Sequence, residues 1–227
     1  MIISHITRFL FPAHCLMCGD QLSGDETCFC RHCLPRLPRT NFHLQADNPA
    51  EQLFFGKTAI EKAACYCYFE KGGAFRKAIH QFKYHDSPKT AFRLGKLFAS
   101  ELRITGWEGP IDILIPVPLH WIKQMHRGYN QSEWIARGLA DVWHKPIYTH
   151  ILKRERHTST QTRKSFYDRY LNAGGSFRIR PTTALTGKHI LLVDDVLTSG
   201  ATLEACAQAL HSIPGVKISI LTLGFAE

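Results

Sequence analysis

The stretch that decides the fold is Ile190-Leu-Leu-Val-Asp194-Asp195-Val-Leu-Thr198-Ser-Gly200-Ala-Thr202, which runs directly into Leu203-Glu-Ala-Cys-Ala-Gln-Ala-Leu210. Four apolar residues lead to two adjacent carboxylates, and a turn of Thr, Ser, Gly and Thr follows. The apolar residues after the turn then recur at helical spacing. The pattern therefore predicts a strand, a loop and a helix, which is the repeating unit of an α/β fold with a mostly parallel twisted sheet.

This loop is chemically suited to a phosphorylated sugar. Ligands of α/β proteins lie outside the carboxyl ends of the strands, and the N-terminus of the following helix attracts anions. We expect a phosphate at the turn, where hydroxyls add donors and glycine allows close backbone approach, and sugar hydroxyls at the two carboxylates. The predicted ribose and phosphate residues are Asp194, Asp195, Thr198, Ser199, Gly200, Ala201 and Thr202.

Two other interpretations of the same stretch remain open. A pair of Asp residues at a strand end also fits a Mg²⁺ site of another doubly wound protein, or simple helix capping. A nucleoside triphosphatase is disfavoured, because the loop has no Lys where a phosphate-binding GxxxxGK[ST] loop needs one.

Composition limits the classes of partner. With 227 residues, 44% apolar and 21% charged, the chain has an ordinary globular composition. Its formal charge of +9 favours anionic partners, either phosphorylated small molecules or nucleic acid. No apolar run is long enough to span a bilayer, and residues 1–12 suggest a short docking helix. We expect a cytoplasmic protein whose cysteines stay reduced.

Two CxxC knuckles near the N-terminus predict a metal site. Cys15 with Cys18 and Cys30 with Cys33 have the spacing of a small structural Zn²⁺ site, since each tight turn presents two thiolates to one tetrahedral ion. Cys28 is the surplus thiol, because only Cys30 forms CxxC with Cys33. Reduced cysteines without a metal are the alternative, although so small a segment would depend on a metal to fold.

A second anion site is expected after the apolar run 111–115, which has the character of a central strand buried on both faces. The basic residues and glycine that follow it suit a pyrophosphate, whose charge must be neutralised from several sides. A basic loop before a capped helix is the equally weighted alternative. The predicted pyrophosphate residues are His120, Lys123, Arg127 and Gly128.

The stretch 152–165 is long, polar and basic, and it has no hydrophobic period. Such a loop between strands can act as a lid that closes over a charged substrate and excludes water; a disordered surface loop is the alternative. The predicted lid residues are Arg156, Gln161, Arg163 and Lys164.

Residues 190–202 resemble, at every position, the phosphoribosyl pyrophosphate signature of type I phosphoribosyltransferases. The whole chain resembles the ComF/GntX family, in which a zinc-binding N-terminal segment precedes a phosphoribosyltransferase domain and which is associated with natural competence in bacteria. The other residues that carry the resemblance are Phe11-Pro12, Lys83-Tyr84, Pro116-Val-Pro-Leu-His120, Arg127-Gly-Tyr-Asn-Gln131, Gln161, Arg169 and Asn172.

The resemblance implies a type I phosphoribosyltransferase fold at 57–227, after a zinc-binding module and linker at 1–56. It assigns ribose hydroxyls to Asp194 and Asp195, and it implies Mg²⁺ with phosphoribosyl pyrophosphate. Two functional classes follow. One is an enzyme that transfers a phosphoribosyl group to a nitrogen acceptor. The other is a non-catalytic accessory of transformation that binds single-stranded DNA or competence and DNA-processing proteins.

Overall fold

The computed structural model describes residues 13–84, 88–119, 125, 128–154, 177–180 and 182–226, with the backbone alone for 80–84. Within these residues the strands are β1 (Lys62–Tyr68), β2 (Ile113–Pro116), β3 (Leu152–Arg154), β4 (Phe177–Ile179), β5 (His189–Leu197) and β6 (Lys217–Phe225). The order β1-β6-β5-β2 forms an all-parallel sheet, and β3 and β4 form a separate antiparallel pair. The predicted α/β architecture with a parallel sheet is confirmed.

The described helices connect and cover these strands. They are α1 (Pro49–Gln52), α2 (Ala74–Tyr84), α3 (Pro88–Ile104), α4 (Gln131–Trp143) and α5 (Ala201–Leu210), with single 3₁₀ turns at Leu34–Arg36 and Phe42–Leu44. The apolar spacing predicts helices over 74–82 and 92–102; in the structure α2 continues to Tyr84, and α3 begins at Pro88 and ends at Ile104. Of the helices in the part of the chain that the structure describes, none combines the length and apolar character that a bilayer span requires.

The central strands are buried on both faces, as their continuous apolar runs predict. In β5, Leu191 and Val193 belong to the core that includes α3 and α4. The alternate residues Ile190 and Leu192 belong to a second core that includes Leu203 of α5. Because successive side chains of a strand point to opposite faces of the sheet, alternate residues of this apolar run pack against two different helical layers.

Two glycines allow α3 and α4 to cross in close contact. A Cβ atom on Gly95 would collide with the backbone of Ile135, and one on Gly138 would collide with the backbone of Phe92. Because α4 packs on β5 and β2 as well as on α3, this crossing fixes where the N-terminus of α4 lies at the carboxyl edge of the sheet.

The segment after the cysteine knuckles lies against the edge of the sheet. The Tyr68 N–H donates to Pro38 O at 2.8 Å, and the Thr40 N–H donates to Tyr66 O at 3.2 Å, so the segment covers the outer edge of β1. Phe42 and Phe54 are then buried in the core that includes α5. The domain division at residue 56 stays a prediction, and residues 37–54 contribute to the sheet's own packing.

Two strand boundaries differ from the prediction. The strand before the signature turn extends through both carboxylates to Leu197, because Asp194 pairs with Thr222 and Leu197 with Phe225 of β6. At β2 the strand begins at Ile113 and includes Pro116 as its last residue. A proline is tolerated there because its nitrogen lies on the outer edge of β2, as does the Leu114 N–H, whereas the Val117 N–H continues the ladder by donating to Val193 O of β5 at 2.9 Å.

Candidate functional site

The loop between β5 and α5 leaves a helix N-terminus open at the carboxyl edge of the sheet. Gly200 is the N-cap of α5, with a φ of 77°, and no side chain among the described residues caps the helix. The first amides of an α-helix lack intrahelical acceptors. They are therefore donors that an anion can use, and the positive φ explains why glycine occupies this position.

The loop encloses a small concavity. Its volume is about 50 Å³, and its lining runs from Asp194 through the turn to Leu203. Pockets for drug-sized ligands are about 300–1,000 Å³, so this space suits a single group such as a phosphate. Thr198 and Ser199 are exposed beside it, and their hydroxyls can donate to such a group.

Asp194 is positioned by a second element. The hydroxyl of Ser132, in the first turn of α4, donates to Asp194 Oδ1 at 2.8 Å, and the Asp195 N–H donates to the same oxygen at 2.9 Å. Asn130 orients this turn, since its side-chain oxygen accepts from the Ser132 N–H at 3.1 Å and its side-chain nitrogen donates to Val117 O at 3.0 Å. The carboxylate is held in a network that joins α4, β5 and the end of β2.

Asp194 also faces α5. Burial raises the pKa of the Cys206 thiol in α5, and the negative charge of Asp194 raises this pKa further. Asp194 and Asp195 are both half-buried, whereas Thr198 and Ser199 are exposed. The site therefore has a sheltered carboxylate end and an open hydroxyl end.

The predicted pyrophosphate loop is described only at its end. Gly128 has a φ of 69°, is exposed, and lies two residues before the Asn130 cap of α4. That end leads to the carboxylate site, because Ser132 of the same helix contacts Asp194. His120, Lys123 and Arg127 lie outside the described residues, and their assignment stays a prediction.

The predicted lid connects the two strands of the small antiparallel sheet. Arg154 pairs with Phe177, and the Arg154 guanidinium lies 5.3 Å from the centre of the Phe177 ring. Strand β4 packs on α5, so the lid begins and ends beside the helix that opens at the phosphate loop. The lid residues Arg156, Gln161, Arg163 and Lys164 lie outside the described residues.

Two structural partners of the site are missing from the sequence prediction. One is Ser132, which meets Asp194 across 62 residues of chain. The other is Phe54, whose ring would lie 3.3 Å from a Cβ atom on Gly200. A cap pattern at Asn130 and Glu133 indicates where α4 begins, but no local pattern indicates which strand end that helix reaches.

The four predicted metal ligands lie together. The sulfur atoms of Cys15, Cys18, Cys30 and Cys33 are all within 4.8 Å of one another. The Cys18 and Cys30 sulfurs are 3.7 Å apart, against the roughly 3.8 Å edge of a tetrahedron with Zn–S bonds of about 2.3 Å. The cluster can hold a metal ion such as zinc.

The backbone around the cluster favours a thiolate. Burial opposes ionisation of Cys15, but backbone N–H donors, including that of Cys30 at 3.4 Å, outweigh it and lower the pKa of Cys15 to about 7. Cys28 lies outside the group, and burial raises the pKa of its thiol to about 12. Cys28 therefore behaves as a packed neutral side chain.

The chain matches known proteins along most of its length. A family model described as phosphoribosyl transferase domain matches residues 120–223. The DNA utilization protein YhgH of Escherichia coli O157:H7 is 34% identical over 200 residues, covering 86% of this chain and 83% of that protein. Competence protein F of Haemophilus influenzae is 30% identical over 152 residues, covering 65% of this chain and 66% of that protein.

The structure was also compared with solved structures. Adenine phosphoribosyltransferase from Leishmania tarentolae aligns with a TM-score of 0.38 at 12% identity, over 83% of this chain and 94% of that chain. The matched domain includes α4, β5, α5 and most of β6. The match of the family model at 120–223, together with the parallel sheet, confirms the predicted type I phosphoribosyltransferase fold.

Proposed function

The chain belongs to the ComF family, and on that premise we propose that it binds phosphoribosyl pyrophosphate with Mg²⁺ at residues 194–202. One observation carries the proposal. The N-terminus of α5 is left without a side-chain cap, beside a carboxylate that Ser132 holds in place. An anion-binding helix end next to hydroxyl-binding carboxylates matches the two chemical halves of a ribose 5-phosphate group.

In this proposal each part of the ligand has its own residues. The 5′-phosphate lies on the turn 198–202, and the ribose hydroxyls donate to Asp194 and Asp195. His120, Lys123, Arg127 and Gly128 receive the pyrophosphate, and the lid residues Arg156, Gln161, Arg163 and Lys164 close over it. The basic side chains neutralise the phosphates from several sides, which favours Arg and Lys over neutral donors.

The reaction class proposed for this site is phosphoribosyl transfer. A nitrogen of the acceptor bonds to the anomeric carbon, the bond from that carbon to the pyrophosphate oxygen breaks, and pyrophosphate leaves with the electron pair. The acceptor nitrogen gives its proton to solvent. When bound together with the ligand, Mg²⁺ would supply positive charge to the pyrophosphate leaving group. The chain's own residues position the sugar and surround the departing anion, so no residue is required to act as acid or base.

The proposal extends to zinc and to a role in DNA use. We place Zn²⁺ at the four-cysteine cluster, which suits a cytoplasmic protein with reduced thiols. The relatives bear the names Competence protein F and DNA utilization protein, and the chain carries a net charge of +9. These observations support a role in natural competence, with single-stranded DNA or DNA-processing proteins as partners. A non-catalytic accessory that retains the ligand site is the second candidate.

Calorimetry with phosphoribosyl pyrophosphate and Mg²⁺ tests the ligand site. We expect wild type to bind and the variant Asp194→Asn/Asp195→Asn to bind at least about tenfold more weakly, which corresponds to about 1.4 kcal/mol. Asp112→Asn is the matched control, because Asp112 accepts from the His189 N–H at the opposite end of β5. If the double variant binds as tightly as wild type, the assignment of Asp194 and Asp195 to the ligand site is wrong.

Two partial ligands separate the halves of the site. Ribose 5-phosphate uses only the carboxylates and the turn, so its binding should be lost in Asp194→Asn/Asp195→Asn. Inorganic pyrophosphate with Mg²⁺ uses the basic loop, so its binding should persist in that variant. If pyrophosphate with Mg²⁺ also loses affinity in that variant, the two carboxylates contribute to the metal and pyrophosphate site as well, and the division of roles is wrong.

A further inference from the structure

A second concavity lies away from the phosphate loop, between the cysteine knuckles and helix α3. Its volume is about 460 Å³, which is within the range of about 300–1,000 Å³ typical of ligand sites. The knuckle segment contributes Thr27 to one wall. The other lining residues all belong to α3 and are Lys89, Phe92, Arg93, Lys96, Leu97 and Ser100.

Three cations form a row along this wall. Lys89, Arg93 and Lys96 are exposed and recur at i, i+4 and i+7, so they share one face of α3. We call them the α3 basic row. At a rise of about 1.5 Å per residue the row is about 10 Å long, enough to meet more than one phosphate of a single strand. Glu101, also in α3, is bonded to Arg39 and does not join the row.

Two members of the α3 basic row, Lys89 and Arg93, do not favour folding. Lys89 lies in the first turn of α3, which contains no acidic residue, and a cation there is disfavoured by the helix dipole. Lys89 and Arg93 also repel each other at i, i+4 spacing. Lys96 pairs with Asp141 at 2.7 Å, whereas across the described ranges no ion pair involves Lys89 or Arg93. Their charge is available to an anion outside the protein.

The acidic residues of the knuckle segment have partners in that segment. On the knuckle side, Asp25 and Glu26 lie 3.7 and 4.0 Å from nitrogens of the Arg31 guanidinium. Glu26 also accepts from the Ser23 N–H at 2.8 Å. Both carboxylates lie beside Arg31 of their own segment, and among the described residues no ion pair joins either of them to Lys89 or Arg93.

An aromatic ring completes the wall. Phe92 is half-buried in the concavity, and the Lys96 ammonium lies 5.7 Å from the centre of its ring. Leu97 is half-buried beside it and adds an apolar surface, and Thr27 and Ser100 add hydroxyls. Sites that bind single strands combine a positive groove with aromatic rings on which bases stack. A base in a duplex is already stacked and cannot use such a ring.

We propose that this concavity binds single-stranded DNA, with Lys89 and Arg93 of the α3 basic row on the backbone phosphates and Phe92 under a base. The proposal rests on the DNA-handling part of the proposed function and gives it a surface. It is independent of the phosphoribosyl site, since none of these residues lines the loop at residues 194–203.

Fluorescence anisotropy with a labelled oligothymidylate tests the row on the full-length, zinc-loaded protein. Lys89→Glu/Arg93→Glu should bind at least about tenfold more weakly at low salt. The slope of log affinity against log salt should fall by about 0.7 for each phosphate that the variant no longer neutralises. Lys57→Glu/Lys217→Glu makes the same change of charge at exposed lysines outside α3 and should bind within about twofold of wild type.

Phe92→Leu tests stacking separately from charge. Removing a base stack should weaken binding about fivefold or more at every salt concentration, and the salt slope should stay as in wild type. Polyglutamate serves as a competitor of similar charge without bases. If it displaces DNA as well as unlabelled oligothymidylate does, the surface takes an acidic protein and the proposal is overturned.

Two further outcomes would overturn it: no binding by wild type at low salt, or wild-type affinity in Lys89→Glu/Arg93→Glu. The same variants keep the two proposals distinguishable. Asp194→Asn/Asp195→Asn should bind DNA as wild type does, and Lys89→Glu/Arg93→Glu should bind phosphoribosyl pyrophosphate as wild type does. Failure at one site therefore leaves the other testable.

Discussion

The cysteine cluster and the phosphate loop are both short in sequence, but they stand in opposite relations to the core. Cys15 and Cys30 are 2% and 6% exposed and share a core cluster with Leu191 of the central strand. Thr198 and Ser199 are exposed at the edge of the sheet. The first region is therefore part of the core, whereas we expect changes in the second to cost less in folding and to act mainly on the proposed ligand binding.

Removing one predicted metal ligand should distinguish the cysteine cluster from the phosphate loop most clearly. We expect Cys30→Ala to release the bound metal and to lower the free energy of unfolding by at least about 3 kcal/mol, because structural zinc contributes folding energy directly. The destabilisation should reach the sheet, since Phe29 of the knuckles packs 6.5 Å, ring centre to ring centre, from Phe75 of α2. Metal analysis and urea denaturation followed by circular dichroism measure both effects.

Cys28→Ala is the control for that experiment. Cys28 is equally buried but lies outside the sulfur cluster, so this variant should keep its metal and be destabilised by only about 1–2 kcal/mol through the missing sulfur atom. If Cys28→Ala releases the metal and Cys30→Ala retains it, the ligand set is wrong. If neither variant is less stable than wild type, the knuckles do not support the core.

A change in the phosphate loop should have a smaller effect on folding and a specific effect on the ligand. Gly200→Ala places a side chain at a φ of 77°, where its Cβ atom would lie 3.3 Å from the Phe54 ring. The backbone strain alone costs about 1–2 kcal/mol, and the turn must shift to relieve it. We expect a decrease of about 2 kcal/mol in unfolding free energy and no binding of ribose 5-phosphate, measured by denaturation and calorimetry.

Gly187→Ala is the control that separates the effect of backbone strain from the effect of a side chain in the phosphate loop. Gly187 has a φ of 70°, and a Cβ atom there would meet nothing within 4 Å, so it carries the same backbone penalty at the opposite end of β5. It should be destabilised by about 1–2 kcal/mol and bind ribose 5-phosphate as wild type does. Unchanged ligand binding in Gly200→Ala would show that the turn does not hold the phosphate.

The sequence predicts each of these two regions because each is encoded by neighbouring residues. Tight CxxC turns fix pairs of thiols within a few residues, and the Asp194–Thr202 stretch contains its own strand end, turn and helix start. The structure brings together all four predicted thiols. The predicted turn lies between the end of β5 and the first turn of α5. The one difference is that the strand extends further than predicted, to Leu197.

What the sequence does not predict depends on long-range packing. The contact between Ser132 and Asp194 requires α4 to reach β5, and that placement is set by the glycine crossing of α3 and α4. Similarly, residues 34–56 show no hydrophobic period, which predicts a linker or an extended arm but not the burial of Phe42 and Phe54. They are buried because this segment packs against the sheet at the outer edge of β1, and no local sequence pattern indicates that contact.

The variant with the smallest expected effect tests whether the contact from α4 contributes to ligand binding at the loop. Ser132→Ala removes the hydroxyl that donates to Asp194 Oδ1 at 2.8 Å, and a typical hydrogen bond contributes about 0.5–1.5 kcal/mol. We expect a destabilisation of about 1 kcal/mol and a several-fold weaker affinity for ribose 5-phosphate, because the carboxylate becomes less well oriented. Ser212→Ala removes a hydroxyl bond of equal length, to Ala209 O, at the other end of α5.

Since Ser212 is exposed, its replacement should cost a few tenths of a kcal/mol and leave affinity unchanged. The two variants together decide whether α4 serves the site or only the fold. Equal affinity in both, with stability lower only in Ser132→Ala, would make the bond structural. The phosphate loop would then bind its ligand without help from α4, whereas the cysteine cluster is part of the core.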